Sequence, residues 1–208
     1  MKKITTSILA TTFLLGTSAF SQATSLDSMS VGYYIKGYKG SEDFKYYPRG
    51  LSTRVQFRNV VLEPLSLSLD YKYLNTGYRF GLRDYGDSIT HIADSTLKYD
   101  LLTAGANTIS TLATLSLEWE RIEHTSNSSY FDQSGLIGMS LYSVISDRNA
   151  TNATIAYRIS SINAYAQDVV FIATWQIGVN SALSVLPQIQ TSLDLEDFSS
   201  SISVKYQF

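Results

Sequence analysis

His124 and Ser126 form the pair in this chain whose types and spacing best fit nucleophilic chemistry. They lie in the run Glu123-His124-Thr125-Ser126-Asn127. Residues two apart on a strand project from one face, so the imidazole could take the hydroxyl proton while Ser126 attacks an ester. A second cluster, Asp84, Asp87 and His91, falls in the longest stretch between strand-like segments and offers acid and base groups. Other chemistry is excluded more firmly. The absence of Cys removes thiol nucleophiles, disulfides and Cys-ligated zinc, and two His leave little for a metal site. There is no Gly-rich phosphate loop, no His-Glu-x-x-His helix and no Gly-x-Ser-x-Gly elbow. No cofactor is expected. A net charge of −2 gives no polybasic surface for nucleic acid. Ser, Thr and Asn are common turn formers, so both clusters read first as polar loop residues.

The elements that would position these residues are strands. Lys2 and Lys3 precede an apolar run from Ile8 to Leu15, and Ser21-Gln22-Ala23 offers small side chains for a peptidase, which predicts a signal peptide over 1–23 and a mature domain over 24–208. Strict alternation follows. Leu51, Thr53, Val55 and Phe57 alternate with polar residues, as do Leu65, Leu67, Leu69, Tyr71 and Tyr73. Eight further segments repeat the pattern, among them Leu97-Tyr99-Leu101, Leu115-Leu117-Trp119, Ile137-Met139-Leu141 and Ile202-Val204-Tyr206-Phe208. The connections between these segments alternate long and short, the long ones covering Gly40 to Gly50, Asn75 to Ser95 and Glu123 to Ser134. One face of each strand is Leu, Ile, Val, Tyr, Phe and Trp. The other carries Lys36, Arg54, Arg58, Asp70, Lys72, Lys98, Asp100, Glu118, Glu120, Arg158, Asp194 and Lys205 among small polar residues. Together these features predict an all-β, antiparallel, up-and-down transmembrane β-barrel of ten strands, with eight or twelve as alternatives. The mixture of luminal charges suits interlocked ion pairs rather than an ion-selective ring.

The end of the chain carries a resemblance. Ile202, Val204, Tyr206 and Phe208 alternate with Ser201, Ser203, Lys205 and Gln207. This resembles the C-terminal signal of bacterial outer-membrane β-barrel proteins, which implies recognition by the barrel-assembly machinery, export through the periplasm and residence in the cell outer membrane of a Gram-negative bacterium. The run His124-Thr125-Ser126-Asn127 is similar to the His-x-Ser-Asn motif of the outer-membrane lipid A 3-O-deacylases, which implies His124 as base and Ser126 as nucleophile. That family places its orienting acid downstream, where this chain has only Asp132 before Ile145, and strand parity puts His124 and Ser126 on the luminal side with Glu118 and Glu120.

Two connections carry aromatic and basic residues of the kind enriched at binding interfaces: Phe44, Tyr46, Tyr47 and Arg49 in one, and Tyr78, Arg79, Phe80, Arg83 and Tyr85 in the other. They fit an external ligand of unspecified identity, or outer-membrane lipid and lipopolysaccharide, whose phosphates pair with Arg. The expected role is non-enzymatic: a rigid barrel presenting surface loops for envelope integrity, attachment or external binding. The alternatives are a lipid hydrolase using His124 and Ser126 and a narrow channel for a small solute.

Overall fold

The computed structural model describes residues 24–38, 48–60, 63–76, 88–122, 129–160, 168–193 and 197–208. The expected signal peptide lies outside them. Ten strands run in chain order: β1 (Ser25–Tyr38), β2 (Arg49–Arg58), β3 (Leu65–Thr76), β4 (Ser88–Ala104), β5 (Asn107–Ile122), β6 (Ser129–Ser146), β7 (Asn149–Ser160), β8 (Asp168–Gly178), β9 (Leu183–Ser192) and β10 (Asp197–Gln207). Each pairs antiparallel with its sequence neighbour, and β10 returns to β1, so the sheet closes without an edge. Val31 faces Val204 and Tyr33 faces Ile202 across this closing seam.

Two strands begin earlier than the alternation suggests. β4 starts at Ser88, so the connection after β3 covers 77–87 rather than reaching Ser95. β6 starts at Ser129, which reduces the connection after β5 to 123–128. The outward positions His91, Ala93, Ser95 and Gln133 are small or polar, so the apolar half of the alternation fades there. Asymmetry of the ends survives this correction. One end carries connections 39–48, 77–87, 123–128, 161–167 and 193–196, and the other carries 59–64, 105–106, 147–148 and 179–182. Gly105 supports the first of the two-residue turns with φ +58, a conformation that costs glycine little. Asn180 shapes the last short turn, its Oδ1 accepting from the backbone N–H groups of Ala182 and Leu183 at 2.9 and 2.8 Å.

The distribution of burial is inverted relative to a water-soluble fold. Ser110 is 0% exposed and Ser192 1%, whereas Ile137 is 64% and Leu115 54% exposed. Such an exchange would be unstable in water, where exposed contiguous apolar surface associates. It is stable when hydrocarbon covers the outside. Tyr33, Tyr73, Phe131 and Tyr157 lie outward towards the long-connection end, and Tyr99, Trp175 and Tyr206 towards the other. These are the two interfacial aromatic bands of a spanning barrel.

Candidate functional site

Alternation turns the charged side chains of β1 to β5 into the bore, except Arg49 and Arg121 at the long-connection end, which lie on the outward face. Arg54 on β2 faces Asp70 on β3, which faces Asp94 on β4, which faces Ser116 on β5. Two carboxylates side by side repel, and the neighbouring cations resolve the conflict. Arg54 Nε bonds Asp70 Oδ1 at 2.6 Å, and Lys72 Nζ bonds Asp94 Oδ2 at 2.5 Å. Ser116 donates to Asp94 Oδ1 at 2.5 Å. The Lys72 ammonium also lies 4.9 Å from the centroid of the Tyr34 ring, whose face attracts a cation. Tyr34, Leu74 and Ile92 form a buried apolar cluster inside the bore beside this network.

A second pair crosses the bore. Lys36 Nζ donates to Glu118 Oε1 and Oε2 at 2.9 and 2.7 Å. Lys36 belongs to β1 and Glu118 to β5, four strands away around a ring of ten. Their bond therefore runs from wall to wall. Near the short-connection end, Arg58 Nε bonds Asp27 Oδ1 at 2.6 Å. Asp27 reaches inward from an irregularity between Leu26 and Ser28. The wall from β6 to β9 is different: in its central and lower rows it presents hydroxyls and amides such as Thr154, Thr174, Gln176 and Gln188, with Thr174 donating to Gln188 at 3.4 Å.

The expectation of interlocked luminal charges holds for Lys36, Arg54, Arg58, Asp70, Lys72 and Glu118. Asp27 and Asp94 also belong to the network, although the alternation alone did not single them out. Asp194 lies outside the described residues. The expected cluster of Asp84, Asp87 and His91 is corrected in one member: His91 is not a loop residue but part of β4, on the outward face. Its ring stacks on Trp119 at 5.1 Å and 10°, packs edge-on to Tyr73 at 5.4 Å, and its Nδ1 shares a 2.6 Å hydrogen bond with the Tyr71 hydroxyl. Barrel register alone brings these four together from three strands.

His124 and Ser126 lie outside the described residues, as do Phe44, Tyr46, Tyr47, Tyr78, Arg79, Phe80, Arg83 and Tyr85. Arg49 opens β2 and is exposed. Ile202, Val204, Tyr206 and Phe208 occupy the outward face of β10 and the residue after it, all well exposed. Phe208 meets the Tyr206 ring edge to face at 5.0 Å, and its N–H donates to the Asp27 carbonyl at 3.1 Å. Among the described residues no group of three or more His, Cys, Asp or Glu could hold a metal ion.

No protein-family model matches the chain, and no curated protein matches it. Among solved structures, it is similar to the attachment invasion locus protein Ail of Yersinia pestis, with 10% identity, 88% of this chain and 98% of that one covered, and a TM-score of 0.39. Neisserial surface protein A matches with 15% identity over 90% of this chain and 100% of that one, with a TM-score of 0.40. The KdgM porin matches with 10% identity, 86% and 99% coverage and a TM-score of 0.45. These likenesses concern architecture alone. The closed ten-stranded sheet, apolar outer wall and unequal ends settle the class. The chain is a transmembrane β-barrel. In bacterial outer-membrane barrels long connections face the exterior and short turns the periplasm.

Proposed function

We propose that this barrel is a non-enzymatic scaffold that presents its long external connections for attachment, external binding or envelope integrity. The observation that carries this reading is the Lys36–Glu118 pair, which spans the bore beside the Arg54, Asp70, Lys72 and Asp94 network. A bore crossed by mutually paired side chains supports the wall and favours neither passage of solute nor a luminal reaction centre. The places left for recognition are the external rim and the connections 39–48 and 77–87, where the aromatic and basic sets concentrate.

The test is replacement of 39–48 and 77–87 by short Gly-Ser turns, with folding monitored by heat-dependent gel mobility. Cells displaying the shortened barrel should lose surface attachment, or become sensitive to detergent, relative to cells displaying the full chain. Unchanged attachment and unchanged detergent resistance, with both barrels folded, would refute the proposal.

A further inference from the structure

We infer that the outer wall over β2 to β5 holds a phosphate-bearing lipid of the outer leaflet, with phosphates at Arg49 and Arg121 and an acyl chain lying along β4. Of the Asp, Glu, Lys and Arg side chains described on the ten strands, only Arg49 and Arg121 point outward. Both are exposed, and neither has an acidic partner among the described residues. Register places them on one row: Arg49 faces Asn75, Asn75 faces Ile89, and Ile89 faces Arg121. That row is at the exterior end, since Arg49 follows the first long connection and Arg121 precedes the third. Scattered interfacial cations would be distributed around the ring. Here both belong to one sector, while the outward positions near this end on β1, β7, β8 and β10 include Tyr33, Ile159, Val169 and Phe198.

Spacing and relief identify the chemistry of the occupant. With strands about 4.8 Å apart, the two backbone positions are separated by about 14 Å along the wall. This is wide for one phosphate and suits a headgroup carrying phosphate at each end of a disaccharide. The next row towards the membrane centre is Leu51, Tyr73, His91, Trp119 and Phe131. His91 is held there by the Trp119 stack and the Tyr71 bond, presenting a polar ring between the cations and the apolar wall. Directly below it, β4 turns Ala93 and Ser95 outward before Leu97 and Tyr99 resume the apolar face. Tyr71 and Leu69 on β3 and Leu117 and Leu115 on β5 stand beside them. The small side chains leave a shallow furrow one strand wide, leading from the cationic row into the hydrocarbon. A free anion would use the Arg pair alone. A lipid uses the pair and the furrow together, gaining charge-assisted hydrogen bonds at one end and apolar contact along the other.

The experiment is titration of the folded barrel in detergent with diphosphoryl lipid A, followed by native mass spectrometry and by Trp119 fluorescence in a Trp175→Phe background. One lipid per barrel should be retained. The Arg49→Gln/Arg121→Gln double variant should bind at least about tenfold more weakly, the loss expected when charge-assisted contacts go. Ala93→Phe, which fills the furrow and leaves both cations, should weaken binding to a similar degree. Heat-dependent gel mobility verifies that each variant is folded. Excess inorganic pyrophosphate should not displace the lipid. Unchanged affinity in the Arg double variant or in Ala93→Phe would overturn the assignment, and so would displacement by pyrophosphate, which would mark a site for free anions.

Discussion

Replacing Lys72 by Ala should destabilise the barrel by about 2–3 kcal/mol, below the roughly 3–5 kcal/mol typical of breaking a buried pair. The side chains of Lys72 and Asp94 are each 15% exposed, so the ammonium is largely withdrawn from water and its loss leaves a largely buried carboxylate. Asp94 would then stand beside Asp70, its register partner, with Arg54 as the cation shared between them. The reduction from the full penalty reflects what Asp94 keeps. Ser116 still donates to its Oδ1, and the Arg54 guanidinium remains close by through Asp70. Loss of the contact with the Tyr34 ring adds a smaller amount, about 0.5–1 kcal/mol. Removing both charges gives the decisive comparison. Lys72→Met/Asp94→Leu should be close to wild type, because neither charge is then stranded, and Lys72→Met and Asp94→Leu alone should exceed it in summed cost by at least about 2 kcal/mol. The assay is urea unfolding of the barrel reconstituted in phospholipid vesicles, followed by Trp fluorescence and gel mobility. A Lys72→Ala variant within about 0.5 kcal/mol of wild type, or strict additivity of the single substitutions, would refute this reasoning.

Other consequences can be checked separately. Leu115→Arg, on the outward face near the middle of β5, should cost about 2–4 kcal/mol by the same unfolding assay, while Leu115→Phe should be nearly neutral; equal costs would show that this face does not meet lipid. In planar bilayers the wild-type barrel should give no large, discrete open-pore conductance, and Lys36→Ala/Glu118→Ala should raise conductance by removing the pair that crosses the bore. A wild-type open pore would contradict the reading of that pair. Phe208→Asp should reduce the amount assembled in the outer membrane, measured by fractionation and gel mobility, and undiminished assembly would count against the C-terminal resemblance. Lipid A mass spectra should be identical from cells expressing wild type or Ser126→Ala; acyl loss with wild type alone would make His124 and Ser126 an active pair.

Alternation of apolar and polar residues was sufficient to establish ten strands, their inward and outward faces and the unequal ends. A spanning strand exposes one face to hydrocarbon and the other to a polar bore, so face identity is written at every second residue. That is why Arg54, Asp70, Lys72 and Glu118 were legible as luminal before any pairing was known. Where the outward face itself turns small or polar, at His91, Ala93 and Ser95, the signal faded and the beginning of β4 was missed. Only the closed sheet decided the rest. Which cation meets which anion depends on register and on bore diameter, as Lys36 reaching Glu118 across an 82-residue separation demonstrates. The row of Arg49, Asn75, Ile89 and Arg121 likewise exists only because four strands are hydrogen-bonded in one particular stagger. Periodicity along a strand tells a residue which side of the wall it occupies, but stagger between strands determines its neighbours, and no local pattern encodes that distance.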